Sequence, residues 1–453
     1  MIGDIGMENS RLHTQSALRS FFQYFIPTLF GMMLMSINIV IDGIFVGNGV
    51  GAVALASVNI AVPVFSIIIS IALLIGVGGG TMYAMALGEG NQKRAHKLFT
   101  ISIVIVTAIT LIISFICYLN LERLAYIFGA NSETFGYVED YMIVLLGFSI
   151  IIALESTISI FVRNDGAPTL AMVGLVASAI MNIMLNYWFI FILDLKVTGA
   201  ALATVLATLI GLLILCLQLF RKNTNLRFIK FTWSPQEIKR ISFIGFPSFL
   251  SEVGMGIFVM GYNIAMAYYV GTNGLAAFSV INYLHTFMFL AFIGIGSSIQ
   301  PMISFYYGAK KFKQIKETVK IAEVTGLGLG ILFILIGWFG ADYLVAIFGV
   351  DSTEITALAT KGIKLFFLGY LFMGINFIYM TYFQSIGYVR PSIGITVFRG
   401  YILLIGMLLI LPYYFGITGI WLALPIAEAI VAVVLIIFGR TGVMDRGLKL
   451  RNL

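Results

Sequence analysis

Four carboxylates interrupt the long apolar runs of this chain: Asp42, Glu155, Glu252 and Glu428. A charge at mid-bilayer costs about 2.5–3.5 kcal/mol on insertion scales, so an acid in such a run faces a cavity or a partner. Asp42 lies in Ser36-Ile-Asn-Ile-Val-Ile-Asp-Gly-Ile-Phe-Val-Gly47, with Asn38 one turn earlier on the same helix face. A carboxylate there can carry a proton or bind Na⁺; the competing reading is an interfacial residue solvated from outside. Glu428 is placed at a depth to pair with Arg399, which lies inside a span, and a structural ion pair and a functional acid are both open. Glu155 is close in depth to Arg163, where a structural role at the inner mouth competes with a functional one. Glu252 follows Pro247 by little more than a turn. Asn182 and Asn186, one turn apart, and Thr204 add uncharged polar atoms in the first half; Asn263, Asn282, Tyr283, His285, Gln300, Asn376 and Gln384 do so in the second. An amide in a span serves as glue between helices or as a ligand site.

The elements that must position these groups are membrane helices. Of the 453 residues 60% are hydrophobic and 10% charged, against roughly a quarter charged in a soluble domain. Twelve apolar segments are expected, at about 18–46, 52–86, 97–119, 139–162, 168–193, 198–220, 241–270, 273–307, 318–340, 357–384, 391–413 and 418–439. Spanning strands are excluded, because an open sheet leaves backbone groups unpaired in lipid and a barrel shows alternating ten-residue segments. The second and eighth segments exceed a vertical span and are expected to tilt, bend or protrude. Of the 27 Lys and Arg, only Arg123, Lys196, Lys361, Lys364 and Arg399 fall outside the segments that are cytoplasmic if the N-terminus is. This predicts a multi-pass protein with both termini cytoplasmic. The net charge of +7 is then a topology signal, and no nucleic-acid partner is expected. Trp188, Trp338 and Trp421 near outer ends, and Trp233 in the central loop, are at aromatic-belt positions. Cys117 and Cys216 read as small packing residues, and no cleavable signal peptide is visible. No GxxxxGK[ST] loop or HExxH is present and His13, His96 and His285 are scattered, so an ATP-driven pump, an enzyme and a bound cofactor are not expected. Gly76-Val-Gly-Gly-Gly80 is mid-span, a packing or bending device. The 20 Met and 38 Phe suit a soft wall for varied apolar ligands and equally an ordinary lipid face.

The two halves repeat at an offset of 220 residues: Pro27 matches Pro247, Tyr126-Ile-Phe-Gly129 matches Ala346-Ile-Phe-Gly349, Thr198-Gly199 matches Thr418-Gly419, and Gly88 matches Gly308. Six spans per unit give two lobes, 1–220 and 241–453, related by a pseudo-two-fold axis along the membrane normal. The basic linker 221–240 contains Ser234-Pro-Gln-Glu237, a helix-start signature predicting a short surface helix before the seventh span. Pro27 and Pro247 are expected to bend their helices. The acids do not repeat: Asp42 corresponds to Tyr262 and Glu252 to Met32, which predicts ion coupling that differs between the lobes.

Over essentially its whole length the chain resembles the MATE (multidrug and toxic compound extrusion) transporters, and most closely their bacterial MepA-like branch. The resemblance rests on Pro27, Ile41-Asp42-Gly-Ile-Phe-Val-Gly47, Gly76-Val-Gly78, Phe161-Val-Arg-Asn-Asp-Gly-Ala-Pro168 with Glu155 upstream, Thr198-Gly-Ala-Ala-Leu-Ala-Thr204 and Ile426-Ala-Glu428. It implies an all-α fold of twelve transmembrane helices in two six-helix lobes. It also implies export of amphipathic, often cationic compounds across the plasma membrane, in antiport with H⁺ or Na⁺, by a functional monomer. The family's cation-coupling set falls on Asp42, Asn182, Asn186 and Thr204, with Na⁺ or a proton held at Asp42. Asn186 departs from the pattern, since many relatives carry Asp there, and the family's seventh-span acid falls on Met255 rather than on Glu252. A lipid-linked oligosaccharide flippase of related architecture, and an ion channel, are the alternatives.

Overall fold

A computed structural model describes residue 12 and residues 15–349 and 352–440, the side chains at 52 and 438–440 excepted. No strand occurs among the described residues. Eleven helices are each long and apolar enough to cross a membrane: Ala17–Gly49, Val53–Gly88, Gln92–Leu119, Pro168–Ile192, Lys196–Phe220, Pro235–Tyr269, Thr272–Gly308, Phe312–Ala346, Thr353–Ser385, Val389–Phe415 and Ile417–Ile437. A bent pair, Phe135–Gly147 with Ser149–Asn164, makes the twelfth and stands fourth in order. Side-chain caps set several starts: Ser16 accepts from Arg19 N, Asn91 from Arg94 N and Ser352 from Ile355 N. The second and eighth spans, 36 and 37 residues, are about 55 Å long, well beyond a hydrocarbon core of about 30 Å.

Three features depart from the sequence reading. The fourth segment is not one straight helix but two, bent by 54°. Ser149 Oγ donates to the Leu146 carbonyl at 2.9 Å and accepts from Ser114 Oγ at 2.7 Å, so hydroxyls hold the polar atoms that the break releases. The helix signalled at Ser234 begins at Pro235, with Glu237 N donating to Ser234 Oγ, but it continues unbroken to Tyr269 instead of ending as a short surface helix. Pro247 lies inside it, as Pro27 lies inside the first span. A proline supplies no N–H, so each interrupts the helical bonding without ending the helix. Trp421 is fully buried and fills the space left by Gly362, which removes it from the aromatic belt; Trp188, Trp338 and Trp233 are exposed.

The chain forms two compact units. One contains the chain up to Glu252 together with Ser304–Lys310; the other contains Val253–Ile303 and the chain from Lys311 onward. In the first, the fifth span packs on the sixth and on the first, and the second on the third and fourth. In the other, the ninth packs on the tenth, and the twelfth on the tenth and eleventh.

Within the first unit the linker is strapped down. Asp165, in the turn after the fourth span, accepts from Tyr83 Oη (2.7 Å), Gln218 Nε2 (2.8 Å), Thr224 Oγ1 (2.9 Å), Asn225 N (3.2 Å) and Asn225 Nδ2 (3.4 Å). Burial pushes its carboxyl above the ordinary value of 3.8, and the hydrogen bonds pull part of the way back. Further along, Ile229 N donates to Thr100 Oγ1 at 3.2 Å and Lys97 pairs with Glu237 at 2.8 Å.

Candidate functional site

The first unit gathers the polar atoms of three spans into one chain of hydrogen bonds. Asn186 uses both hydrogens of its amide, donating to Asp42 Oδ1 at 2.5 Å and to Asn182 Oδ1 at 3.0 Å. Asn182 Nδ2 donates to Thr204 Oγ1 at 3.3 Å, and Thr204 donates to the Ala200 carbonyl at 3.1 Å. An ionised carboxylate only accepts, which fixes the orientation of the Asn186 amide and, through it, that of Asn182. One-turn spacing puts the two asparagines on one face of the fifth span. Directly after Asn186 the helix widens into a π turn, Tyr187–Ile192, a feature often found at functional sites. Tyr141 of the fourth span, buried, stands next to Thr204. At the edge of an apolar segment a tyrosine reads as an interfacial anchor, so the sequence does not single Tyr141 out.

Asn182 and Asn186 are buried, and Asp42 and Asn38 are half-buried. Asn186 Oδ1 and Asn38 Oδ1 are both buried without a hydrogen-bond partner. Among the described residues no Lys, Arg or His pairs with Asp42. No cluster of three His, Cys, Asp or Glu occurs among them either. The site is therefore one carboxylate surrounded by neutral oxygens. That donor set fits a proton or a hard monovalent cation better than a divalent metal, which wants more charge.

The remaining intramembrane candidates separate. Glu428 and Arg399 meet in the second unit, Nη1 to Oε1 at 3.5 Å, and Asn376 Nδ2 donates to Glu428 Oε2 at 2.6 Å and to its backbone carbonyl at 2.9 Å. The Arg399 guanidinium lies over the Phe377 ring at 4.1 Å, and Arg399 also sits in a π turn, Phe398–Leu403. Glu155 is buried with Oε1 unpartnered, and Arg163, two turns along the same helix, donates to Ser159. Glu252 is half-buried and joins neither cluster. Another carboxylate within a span, Glu323, accepts from Tyr379 Oη at 2.6 Å. It lies close to Lys316, Glu317 and Lys320, so in sequence it reads as part of that polar segment end.

Known proteins share the fold that carries this cluster. The MatE family model matches residues 27–188 and 247–410, with the gap between the two matches falling around the linker. The chain is 26% identical over 421 residues to the multidrug export protein MepA of Staphylococcus saprophyticus, covering 92% of each. It is 27% identical over 419 residues to the protein of the same name from Staphylococcus haemolyticus, again covering 92% of each. Among solved structures, a MOP superfamily transporter from Pyrococcus furiosus matches with a TM-score of 0.91 at 23% identity, covering 98% of this chain and 99% of that one. A mutant of the Vibrio cholerae MATE transporter VcmN matches with a TM-score of 0.88 at 22% identity and the same coverage. At such identities the structures establish the fold.

Proposed function

The chain belongs to the MatE family, and we propose that it is a secondary active multidrug exporter, a transporter rather than an enzyme. It moves amphipathic, often cationic compounds out across the plasma membrane in exchange for H⁺ or Na⁺, acting as a monomer with both termini cytoplasmic. The observation that carries this reading is Asp42, a carboxylate held by one amide and by no cation among the described residues. A proton on Asp42 turns an acceptor into a donor, and Na⁺ there draws carbonyl oxygens toward it. A proton or Na⁺ on Oδ1 itself displaces the Asn186 N–H and turns that amide, because its nitrogen now faces this oxygen. Asn182 and Thr204 follow along the hydrogen-bond chain, so occupancy at Asp42 is felt by the first, fifth and sixth spans. Substrate and cation then drive alternating access to the extent that each binds one conformation more tightly than the other.

The test is efflux of a fluorescent cation from proteoliposomes under separately imposed Na⁺ and pH gradients. Asp42→Asn should yield folded protein that no longer responds to either gradient; full gradient-driven transport by that variant would sink the assignment. A flippase for a lipid pyrophosphate wants an uncommitted guanidinium, and Arg399 is engaged by Glu428. A channel would pass current in a planar bilayer with no substrate exchange.

A further inference from the structure

Each half of the chain carries a polar centre built across several spans, and the two draw on equivalent spans. In the first half Asn182 and Asn186 come from the fifth span, Thr204 from the sixth and Tyr141 from the fourth. In the second, Arg399 comes from the eleventh, Glu428 from the twelfth and Asn376 from the tenth. The 220-residue repeat makes the correspondence closer. Tyr262 stands where Asp42 stands and Leu424 where Thr204 stands, and Tyr262 Oη accepts the Leu424 N–H at 3.1 Å. Arg399 aligns with Ala179, one turn before Asn182, and Glu428 aligns with Thr208, one turn after Thr204. Consecutive spans run in opposite directions, so both shifts are toward the same side of the membrane, by about 5 Å. A π turn adjoins each centre, in the fifth and in the eleventh span.

The centres differ in what neutralises the acid. Asp42 has only an amide, whereas Glu428 has the guanidinium of Arg399 at 3.5 Å. That spacing is an ion pair without a good hydrogen bond: Arg399 Nη1 makes none, and Asn376 Oδ1 is also unpartnered. A buried pair so loosely bonded returns little against its desolvation, so helix–helix glue is a poor account of it. We infer that the second half retains the repeat's cation site with the Arg399 guanidinium as its resident cation. Glu428 therefore takes up no exchangeable ion, and the chain exchanges its cation at Asp42 alone. This rests on Asp42 being the exchangeable-cation site. The other titratable groups around the pair are His285 of the eighth span, hydrogen-bonded to Tyr370 of the tenth at 3.1 Å, and Tyr262 of the seventh.

The experiment reads cation binding and not transport. Unfolding midpoints of the purified full chain are measured against NaCl, at ionic strength held constant with choline chloride, and against pH. Asp42→Asn should be flat in Na⁺ and should serve as the background. Adding Arg399→Met should restore a cation- or proton-linked rise of about 2 °C at tenfold excess over the dissociation constant. Adding Glu428→Gln as well should abolish that rise, and Arg399→Lys, which keeps a resident cation, should be flat. If the Met variant is not monodisperse, Arg399→Gln carries the same test. A folded Arg399 variant with no gained response overturns the inference. So does a response that persists in Asp42→Asn alone and vanishes with Glu428→Gln, because the native second half would then bind an exchangeable ion. A wild type without response beside a responsive Arg399→Met would remove the Asp42 reading and leave the second-half site standing.

Discussion

Asp42 and Asp165 are the same side chain with different work, and the number of donors around each decides which. Asp42 has one amide and a set of oxygens with nothing to do, whereas Asp165 accepts five hydrogen bonds and is spent on holding the turn and the linker. Removing the Asp165 carboxylate strands Tyr83, Gln218 and Thr224 with buried donors. Asp165→Ala should therefore lower stability by about 3 kcal/mol or more, read as a depressed unfolding midpoint in detergent. Its titration has a definite sign. Burial raises the Asp165 carboxyl above its ordinary 3.8, so its favourable contribution is complete below that value and is lost as pH rises through the folded value. Across that window wild type should lose stability relative to Asp165→Asn, which has nothing to titrate; a gain instead would mean that the five donors outweigh burial. Much of this chemistry is legible in the sequence, for a physical reason. Asp42, Asn182, Asn186 and Thr204 are visible as polar atoms in apolar runs, and it is the family resemblance that groups them. Asp165 does not stand out, since Arg163-Asn-Asp-Gly166 reads as an ordinary turn until the fold brings Tyr83 and Thr224 to it.

At the scale of the elements, hydropathy locates the twelve spans to within six residues at either end, because lipid leaves a chain this apolar no other choice. What it misses is decided by tertiary bonds. The bend at Gly147–Ser149 depends on Ser114 of another helix, and the unbroken run from Pro235 to Tyr269 joins the helix signalled at Ser234 to the seventh span. Glycines set the closest helix crossings in the first unit. A Cβ at Gly245 would overlap the Leu74 carbonyl, and one at Gly308 the Met85 carbonyl; backbone cannot retreat as a side chain can. Gly88 and Gly308, equivalent in the repeat, meet at such a crossing, since a Cβ on Gly88 would strike the Phe305 carbonyl. Gly245→Ala or Gly308→Ala should each cost about 1–3 kcal/mol. Gly394→Ala, where a Cβ meets nothing within 4 Å, should be neutral or stabilising by up to about 1 kcal/mol. Thermal unfolding of the three variants side by side checks the contrast, and equal losses at all three positions would refute it.

For the molecule as a whole, the count of exchangeable cations fixes how transport responds to voltage. If Arg399 is the permanent partner of Glu428 that we propose, one cation at Asp42 exchanges for one substrate. If that substrate carries a single positive charge, the cycle moves no net charge, and a membrane potential does no work on it. Two exchangeable cations per cycle would move one net charge, on which 100 mV acts with about 2.3 kcal/mol. That corresponds to about a 50-fold change in the equilibrium accumulation ratio. Proteoliposomes loaded with a monovalent fluorescent cation, with a fixed Na⁺ or pH gradient and a valinomycin-clamped potassium potential, separate the two cases. The accumulation ratio should be the same at 0 and 100 mV and should scale in proportion to the imposed ion gradient. A strong dependence on potential, or accumulation that follows the square of the gradient, would require a second exchanging cation. Arg399 could not then be the fixed counter-charge of Glu428.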